Sequence, residues 1–389
     1  MIKRLLILTT IIALNPLFMT VSDAESDSSE PSLASEAAVM IDAETGDILY
    51  EKNANAPMYP ASLTKIATAI FAIETADLDD TVTVSEKARN TGGSSVYLEE
   101  GEQVTLKKLI QGLLINSGND AGVVIAEHVS GSVGQFASDM NEYLQKRVGI
   151  QNTHFENPHG LFDSDHMTTA EDMAKITQYA IRNETFRDIF GTIELEWNGE
   201  SWDTTLVSHH KLMRQEPDIT GGKTGFVDQS GHTLATTAQK DDLNLIVITL
   251  NAKLKKASYE DTIDLLDYGF ANFEQSAIDK GTIFEAGNEK YKTAHHLTYT
   301  HKINEEVHQD ISDEGVLKLR KQNGEVISSF QLEKPGKKKV SETTENDVKE
   351  DSILGSTLFM TVIPIIVVMI GIIGVVYRRK RKQEKRIFT

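Results

Sequence analysis

The sequence of 389 residues contains no cysteine. The chain therefore has neither disulfide bonds nor thiol chemistry, and any folded domain depends on its core alone. No histidine or cysteine cluster has the spacing of metal ligands, and no glycine-rich phosphate loop is present. We therefore predict no metal site and no cofactor.

Positive charge is also scarce, with 39 basic residues against 58 acidic ones and a net charge of −19. The first 24 residues carry +1 and the last 12 carry +6, which leaves −26 on the segment between them. Such an acidic surface disfavours binding to nucleic acid or to anionic membranes by charge. We expect no nucleic-acid partner.

Both ends of the chain carry apolar runs. Residues 1–24 have Lys3 and Arg4, then an apolar stretch and small residues, which is typical of a cleaved secretory signal peptide. An uncleaved N-terminal anchor is the alternative. Residues 354–377 are uncharged and long enough to span a bilayer, and the basic residues that follow are expected in the cytoplasm. We predict a single-pass membrane protein whose main part is extracellular.

Between the two ends, the pattern predicts helices in the middle of the main domain and strands at both of its ends. This order favours an α/β (α+β) fold in which a helical cluster packs on an antiparallel sheet. The predicted strands are 37–42, 47–51, 218–224, 233–239 and 243–250, and the predicted helices are 62–75, 104–115, 121–128, 136–148, 169–182 and 257–273. In the helix at 169–182, Thr168 and Glu171 have the spacing of a capping box.

The predicted organisation has seven segments. Alternating residues after the main domain indicate a small C-terminal β-domain with strands at 292–300, 315–319 and 325–331, and the segment after it has almost no large apolar residues, which indicates a flexible stalk. The segments are a signal peptide (1–24), a disordered leader (25–35), the main domain (36–275), the small β-domain (276–333), the stalk (334–352), a transmembrane helix (353–377) and a cytoplasmic basic tail (378–389).

Three short motifs occur in a fixed order. Ser62 and Lys65 form Ser-x-x-Lys, Ser117 and Asn119 form Ser-x-Asn, and residues 223–225 are Lys-Thr-Gly. Each motif alone is common. The ordered trio is typical of penicillin-binding proteins and class A β-lactamases.

Ser62 and Lys65 are candidates for nucleophile and base. Three residues apart in a helix, they project from one face. A serine hydroxyl needs a base to take its proton, and a lysine can act as that base only when burial or a nearby cation keeps it neutral. Lys223 can be that cation. The alternative is that Ser62 caps a helix and Lys65 is solvated.

Ser117 and Asn119 lie at a break between two apolar helices, where Ser117 can relay a proton and Asn119 can hold Lys65 or a substrate amide. The alternative is a plain interhelical turn.

The Lys-Thr-Gly motif ends a predicted strand whose free edge can pair with an extended peptide. Lys223 and Thr224 can bind a terminal carboxylate, Gly225 allows close approach, and the backbone N–H groups of Ser62 and Phe226 can form an oxyanion hole. The alternative is that Lys223 is a turn lysine.

Three further residues are weaker candidates. His166 precedes a helix and can assist a deacylating water, or it is a histidine of a surface loop. His159 is more consistent with a structural role, and Arg214 can supply a second carboxylate contact.

At these residues the chain resembles the D-alanyl-D-alanine carboxypeptidase family of low-molecular-mass penicillin-binding proteins. The likeness covers about residues 36–275. Beyond the trio it is carried by Ile41-Asp42-Ala43-Glu44-Thr45-Gly46, Asn119-Asp120-Ala121, Met140-Asn141, Asn157-Pro158-His159-Gly160-Leu161 and Gly222-Lys223-Thr224-Gly225.

The resemblance implies a penicillin-binding/β-lactamase-like transpeptidase fold, a Ser62 acyl-enzyme, peptidoglycan stem peptides as substrate and β-lactams as inhibitors. By motif position it implies Lys65 as base and Ser117, Asn119, Lys223 and Thr224 as supporting groups. Two features depart from the family. Residues 208–212 (SHHKL) replace an Asn-rich stretch, and a full span replaces the usual C-terminal amphipathic helix.

Three hypotheses follow for the function. The first is a serine D-Ala-D-Ala carboxypeptidase, the second is a transpeptidase or β-lactamase on the same fold, and the third is a non-catalytic wall-binding membrane protein. A pure binder has no need of a Ser62–Lys65 pair. An efficient β-lactamase needs a deacylating glutamate, and the nearest sequence match, at 194–198, lacks the expected leucine.

Overall fold

A computed structural model describes residues 29–335, which form one compact unit. The predicted signal peptide, transmembrane helix and cytoplasmic tail lie outside the described residues, as do parts of the leader and stalk. No helix within 29–335 is both long and apolar enough to cross a membrane.

Eight helices are described between the strands. They are α1 (Thr64–Thr75), α2 (Glu86–Arg89), α3 (Leu106–Ile115), α4 (Asn119–Ser130), α5 (Val133–Arg147), α6 (Ala170–Ile181), α7 (Glu184–Phe190) and α8 (Lys255–Asn272). Short 3-10 turns occupy Ala61–Leu63 and Lys211–Arg214.

The strands up to α8 belong to the main sheet and to two small two-stranded sheets. They are β1 (Ala37–Asp42), β2 (Ile48–Lys52), β3 (Thr81–Thr83), β4 (Gln103–Thr105), β5 (Glu194–Asn198), β6 (Asp203–Val207), β7 (Ile219–Val227), β8 (Gly231–Lys240) and β9 (Leu243–Ala252). The strands after α8 are β10 (Phe273–Ile278), β11 (Ile283–Ala286), β12 (Glu289–Lys292), β13 (Leu297–Lys302), β14 (Val307–Ile311), β15 (Val316–Lys321) and β16 (Val326–Gln331).

The main sheet is antiparallel and is built from both ends of the main domain, as predicted. Its strand order is β2-β1-β9-β8-β7, so the first strand of the chain pairs with β9 and the strand that carries Lys-Thr-Gly lies at an edge. Because β7 has only one neighbour in this sheet, its other edge is open to a peptide in extended conformation.

Both faces of the sheet are covered, which explains why β1 is buried along its whole length. Alternate residues of a strand point to opposite faces. Val39 and Ile41 pack in the large core that also contains α1 and α3, whereas Ala38 and Met40 pack on the other face with α8. The helix α1 therefore lies in the interior, with residues 64–72 all buried.

Several predicted boundaries need correction. The helix that was expected to begin at Ser62 begins at Thr64, because Ser62 and Leu63 belong to a 3-10 turn that precedes the α-helix. The predicted capping box of Thr168 and Glu171 is wrong, since the helix cap is Thr169, whose Oγ1 accepts the N–H of Asp172. The predicted strand at 292–300 is two strands, β12 and β13.

The C-terminal strands have an apolar core of their own. Its members include Tyr291, Leu297, Leu317 and Leu319, all buried. Polar contacts connect these strands to the main sheet, because the Asp42 carboxylate accepts hydrogen bonds from Thr300 Oγ1 at 2.7 Å and from the Gln275 side chain at 3.2 Å.

Candidate active site

Ser62 lies in the 3-10 turn Ala61–Leu63, immediately before α1. Ala61 has a left-handed φ of +48°, which is uncommon for a residue with a side chain. Such strain persists where the surrounding structure enforces it, and it is concentrated at functional sites. Here Thr64 Oγ1 donates a hydrogen bond to Ala61 O at 2.8 Å.

Lys65 lies beside Ser62 and is completely buried. Its Nζ is 2.9 Å from Ser62 Oγ and donates to the carbonyl oxygen of His159 at 2.6 Å. Burial, and then the charge of Lys223, holds the Lys65 pKa well below its ordinary value, against a smaller opposite effect of Asp120. A neutral amine has two N–H groups and one lone pair. With one N–H on His159 O, the lone pair can receive the Ser62 proton.

Ser117 occupies the turn between α3 and α4 and has a left-handed φ of +63°. It is 4% exposed, and its Oγ accepts a hydrogen bond from Lys223 Nζ at 3.1 Å. Lys223 is also buried, and this burial lowers its pKa to about 7. A hydrogen bond therefore joins the second and third motifs, and the effect of the Lys223 charge on the Lys65 pKa shows that the first motif lies close to them.

Asn119 is buried at the start of α4, but no hydrogen bond within residues 29–335 joins it to Lys65. Its Nδ2 donates to Gly92 O at 2.8 Å, and its backbone N–H donates to Ser94 O at 2.7 Å. The next residue, Asp120, accepts the backbone N–H groups of Val96 and Leu98. This end of α4 thus fixes the segment 92–98.

The edge strand β7 passes directly beside the 3-10 turn that carries Ser62, the nucleophile turn (Ala61–Leu63). A Cβ atom at Gly225 would lie 2.8 Å from the backbone nitrogen of Ser62 and would overlap Thr233 Oγ1, so only glycine fits. Thr233 Oγ1 donates to Pro60 O at 3.0 Å and ties β8 to the same turn. Phe226 follows Gly225 and is 53% exposed, so the strand is open to solvent there.

His166 is 2% exposed, so the surface-loop interpretation is wrong. Its Nδ1 accepts the N–H of Glu156 at 3.0 Å, and its Nε2 is 2.8 Å from Thr64 Oγ1. Both ring nitrogens are occupied, so the ring is not arranged to activate a water.

Of the other two weak candidates, His159 contacts the site and Arg214 lies at the surface. His159 contributes its backbone carbonyl to Lys65, a role that its side chain gave no means to predict. Arg214 ends the second 3-10 turn and is exposed.

His210 is a neighbour of the site that the sequence analysis missed. It is 1% exposed, and its Nε2 is 2.8 Å from Thr236 Oγ1. A Cβ at Gly222 would overlap the His210 ring, so the histidine packs under the Lys-Thr-Gly strand. The sequence feature that could have indicated this position is the replacement of the family's Asn-rich stretch by residues 208–212, which include His210.

Neither a metal cluster nor a β-lactamase carboxylate is found in the described part of the chain. Within residues 29–335, no group of three or more His, Asp or Glu side chains could hold a metal ion. Residues 194–198, the nearest match to a deacylating glutamate segment, form strand β5 in a hairpin with β6. A cavity of about 490 Å³ beside the start of β7 is lined by none of the residues of the three short motifs.

Comparison with known proteins assigns the fold and the family. A family model described as D-alanyl-D-alanine carboxypeptidase matches residues 24–254. The D-alanyl-D-alanine carboxypeptidase DacF of Bacillus subtilis is 35% identical over 259 residues, which cover 65% of this chain and 66% of that protein. DacA of Haemophilus influenzae is 33% identical over 298 residues, 70% of this chain and 72% of that protein.

Solved structures agree with this assignment. Penicillin binding protein 5 from Haemophilus influenzae matches with a TM-score of 0.70 and 27% identity, covering 79% of this chain and 98% of its own. The Streptomyces K15 DD-transpeptidase matches with a TM-score of 0.58 and 26% identity, covering 62% of this chain and 100% of its own. The predicted penicillin-binding fold is confirmed, and the chain belongs to the D-alanyl-D-alanine carboxypeptidase family of serine peptidases.

Proposed function

We propose that this protein is a penicillin-sensitive serine D-Ala-D-Ala carboxypeptidase that removes the terminal D-alanine from peptidoglycan stem pentapeptides. The observation that carries the proposal is the Lys65 amine, which is completely buried and lies 2.9 Å from Ser62 Oγ. Family membership and the names of the relatives support the substrate class.

In the acylation step, Ser62 Oγ attacks the carbonyl carbon of the penultimate D-alanine, and the hydroxyl proton moves to Lys65 Nζ. The lowered pKa of Lys65 supports this role, because only a neutral amine can take the proton. The bond to the terminal D-alanine nitrogen then breaks. The departing amine receives a proton from Lys65 through Ser117, whose Oγ already accepts from Lys223 and therefore has its own O–H free to donate.

The open edge of β7 holds the peptide during this step. The backbone N–H groups of Ser62 and Phe226 stabilise the oxyanion of the tetrahedral intermediate. Lys223 and Thr224 bind the terminal carboxylate, and Asn119 binds a substrate amide through its side-chain oxygen. The close approach of β7 to the Ser62 nitrogen supports this arrangement.

Deacylation frees the enzyme when water attacks the ester and Lys65 takes the proton of the water. After peptide cleavage, D-alanine diffuses away and clears the path of the water. After acylation by penicillin, the leaving nitrogen remains tethered to the acyl group and obstructs that path. We therefore expect peptide turnover but slow release of penicillin.

We also propose that the catalytic domain (36–275) acts outside the cell, after export by the signal peptide (1–24) and with the span (353–377) as anchor. The support is the charge and hydropathy pattern of the two ends. Protease added to protoplasts should cut the stalk (334–352) and release an active fragment. Protection of the catalytic domain would contradict this topology.

The function is tested with a pentapeptide that ends in D-Ala-D-Ala and with fluorescent penicillin. The wild-type protein should release D-alanine and carry one penicilloyl group on Ser62. Ser62→Ala should remain folded and lose both activities. Labelling of another serine, or release of D-alanine by the folded variant, would contradict the proposal.

Transpeptidation and β-lactam hydrolysis are the alternative reactions on the same fold, and product analysis separates them from peptide hydrolysis. The match to the Streptomyces DD-transpeptidase favours transpeptidation as the second candidate. Adding an acceptor amine to the pentapeptide and reading product masses distinguishes hydrolysis from transfer. Burst-free penicillin hydrolysis at or above the rate of peptide cleavage would favour a β-lactamase instead.

A further inference from the structure

We propose that His166 is a positioning residue that acts through Thr64 to hold the nucleophile turn in its reactive geometry. It binds no substrate in this role. The inference rests on the proposed function, because it concerns how readily Ser62 is acylated.

The hydrogen bonds of His166 determine where its proton lies. The backbone N–H of Glu156 can only donate, so Nδ1 accepts and the proton of the neutral ring is on Nε2. Nε2–H therefore donates to Thr64 Oγ1 at 2.8 Å. The Thr64 hydroxyl in turn donates to Ala61 O at 2.8 Å. The three hydrogen bonds therefore form a chain and all run in one direction, from Glu156 in the loop, through the side chains of His166 and Thr64, to Ala61 O in the nucleophile turn.

The end of this chain is the strained residue before the nucleophile. Ala61 has a φ of +48°, and its carbonyl oxygen is enclosed by Gly160, where any side chain would overlap it. Gly160 has a φ of +82°, so a second constraint keeps it glycine. The orientation of Ala61 O fixes the direction of the following peptide and hence of Ser62.

The loop that carries His166 also contacts the base. His159 O accepts from Lys65 Nζ at 2.6 Å, and Pro158 O accepts from Thr68 Oγ1 at 2.7 Å. Together with the Thr64 contact, these bonds attach the loop to successive positions on α1. The loop therefore holds the nucleophile turn and the base side chain in register with each other.

Charged neighbours and burial keep the His166 ring neutral. Burial lowers the pKa to about 4, Asp163 opposes this shift, and His154 and Lys65 add to it. Protonation would place an N–H on Nδ1, facing the N–H of Glu156, and would break the first link of the chain, the hydrogen bond that orients the ring. At neutral pH the chain is intact.

The test compares variants that remove or keep each donor. His166→Leu and Thr64→Val remove the links, whereas His166→Gln and Thr64→Ser keep an amide or hydroxyl at the position. His296→Leu changes an exposed histidine remote from this loop, with a side chain 67% exposed, and serves as the control. Single-turnover kinetics with fluorescent penicillin measure the acylation rate constant and the non-covalent Kd separately.

We expect His166→Leu and Thr64→Val to slow acylation about 100-fold with Kd nearly unchanged, because a misaligned reacting group costs about this factor. The Gln and Ser variants should recover most of the rate, and the control should match the wild type. The double variant His166→Leu/Thr64→Val should be no slower than either single variant, because both break one chain.

The pH dependence of the acylation rate is a second readout, and a mere loss of packing would not change it. The acylation rate of His166→Gln divided by that of the wild type cancels the titration of groups common to both proteins. This ratio should be flat above pH 6 and should rise as the pH falls through about 4, where only the wild type loses the hydrogen bond from Glu156 that orients the ring.

The failure of this inference differs from the failure of the proposed function. If penicillin does not label the wild type at Ser62, the function is wrong. If the wild type is labelled and His166→Leu or Thr64→Val acylates at the same rate, or if the Gln variant is as slow as the Leu variant, the positioning role is wrong. Should His166→Leu fail to fold, Thr64→Val, which conserves side-chain shape, decides the question.

Discussion

Replacing Gly225 by alanine would bring a methyl group against the backbone nitrogen of Ser62. The new Cβ would lie 2.8 Å from that nitrogen, where ordinary contact begins at about 3.4 Å. The two groups must therefore separate by at least about 0.6 Å. On its other side the methyl group would overlap Thr233 Oγ1, so β7 cannot relieve the contact by moving toward β8.

The magnitude of the effect follows from the role of that nitrogen. If the Ser62 N–H is one of two donors to the oxyanion, displacing or covering it removes one donor. Loss of one such donor lowers the rate by about 100- to 1000-fold, or about 2.7–4 kcal/mol of transition-state stabilisation. We expect a loss of this size in both penicillin acylation and peptide cleavage by Gly225→Ala.

The measurement is the second-order rate constant of Ser62 acylation, with circular dichroism and thermal unfolding to establish that the variant is folded. Gly134→Ala is the matched control. That glycine lies in α5 with nothing within 4 Å of its added Cβ, so its acylation rate should not change. A folded Gly225→Ala protein that acylates within about fivefold of the wild type would refute the role of the Ser62 backbone N–H as an oxyanion donor.

Three further predictions concern the charged groups of the site. Lys65→Arg keeps the charge but cannot supply a neutral base, so acylation should fall by about 10²–10⁴; a near-normal rate would assign the base elsewhere. Burial lowers the pKa of Lys223 to about 7. If its protonated form binds the substrate carboxylate, as proposed, KM should rise above pH 7 by up to about tenfold per unit. In Lys223→Arg, KM should stay flat between pH 7 and 9, and a parallel rise in both proteins would refute this. Asp120→Asn cannot accept all the backbone N–H groups that the carboxylate binds, so unfolding by denaturant should show a loss of about 1–3 kcal/mol; an unchanged midpoint would contradict the inferred support of the segment 92–98.

The sequence predicted the pairs that depend on local spacing. Ser62 and Lys65 are within one helical turn, so their contact follows from helix geometry alone. The order of predicted helices and strands along the chain also predicted that the two ends of the main domain share one sheet. These features needed no knowledge of how distant loops pack.

The features that the sequence did not predict depend on long-range packing. His166 follows Asp163 and Asp165 and has the appearance of a surface residue, but its loop packs against α1 and buries it. His159 contacts Lys65 through a backbone carbonyl, a group that every residue has and that no pattern distinguishes. The helix cap was displaced by one residue because Thr168 and Thr169 are both suitable caps.

The pairing of β1 with β9 sets the moment during synthesis at which the enzyme becomes reactive. Ala37 pairs with Leu250, so the sheet remains open until nearly all of the main domain has left the ribosome. Ser62 and Lys65 are made about 160 residues before Lys223, and at 5–20 residues per second they wait roughly 8–32 s for it. A nascent chain therefore carries Ser62 and Lys65 without the strand that completes the site.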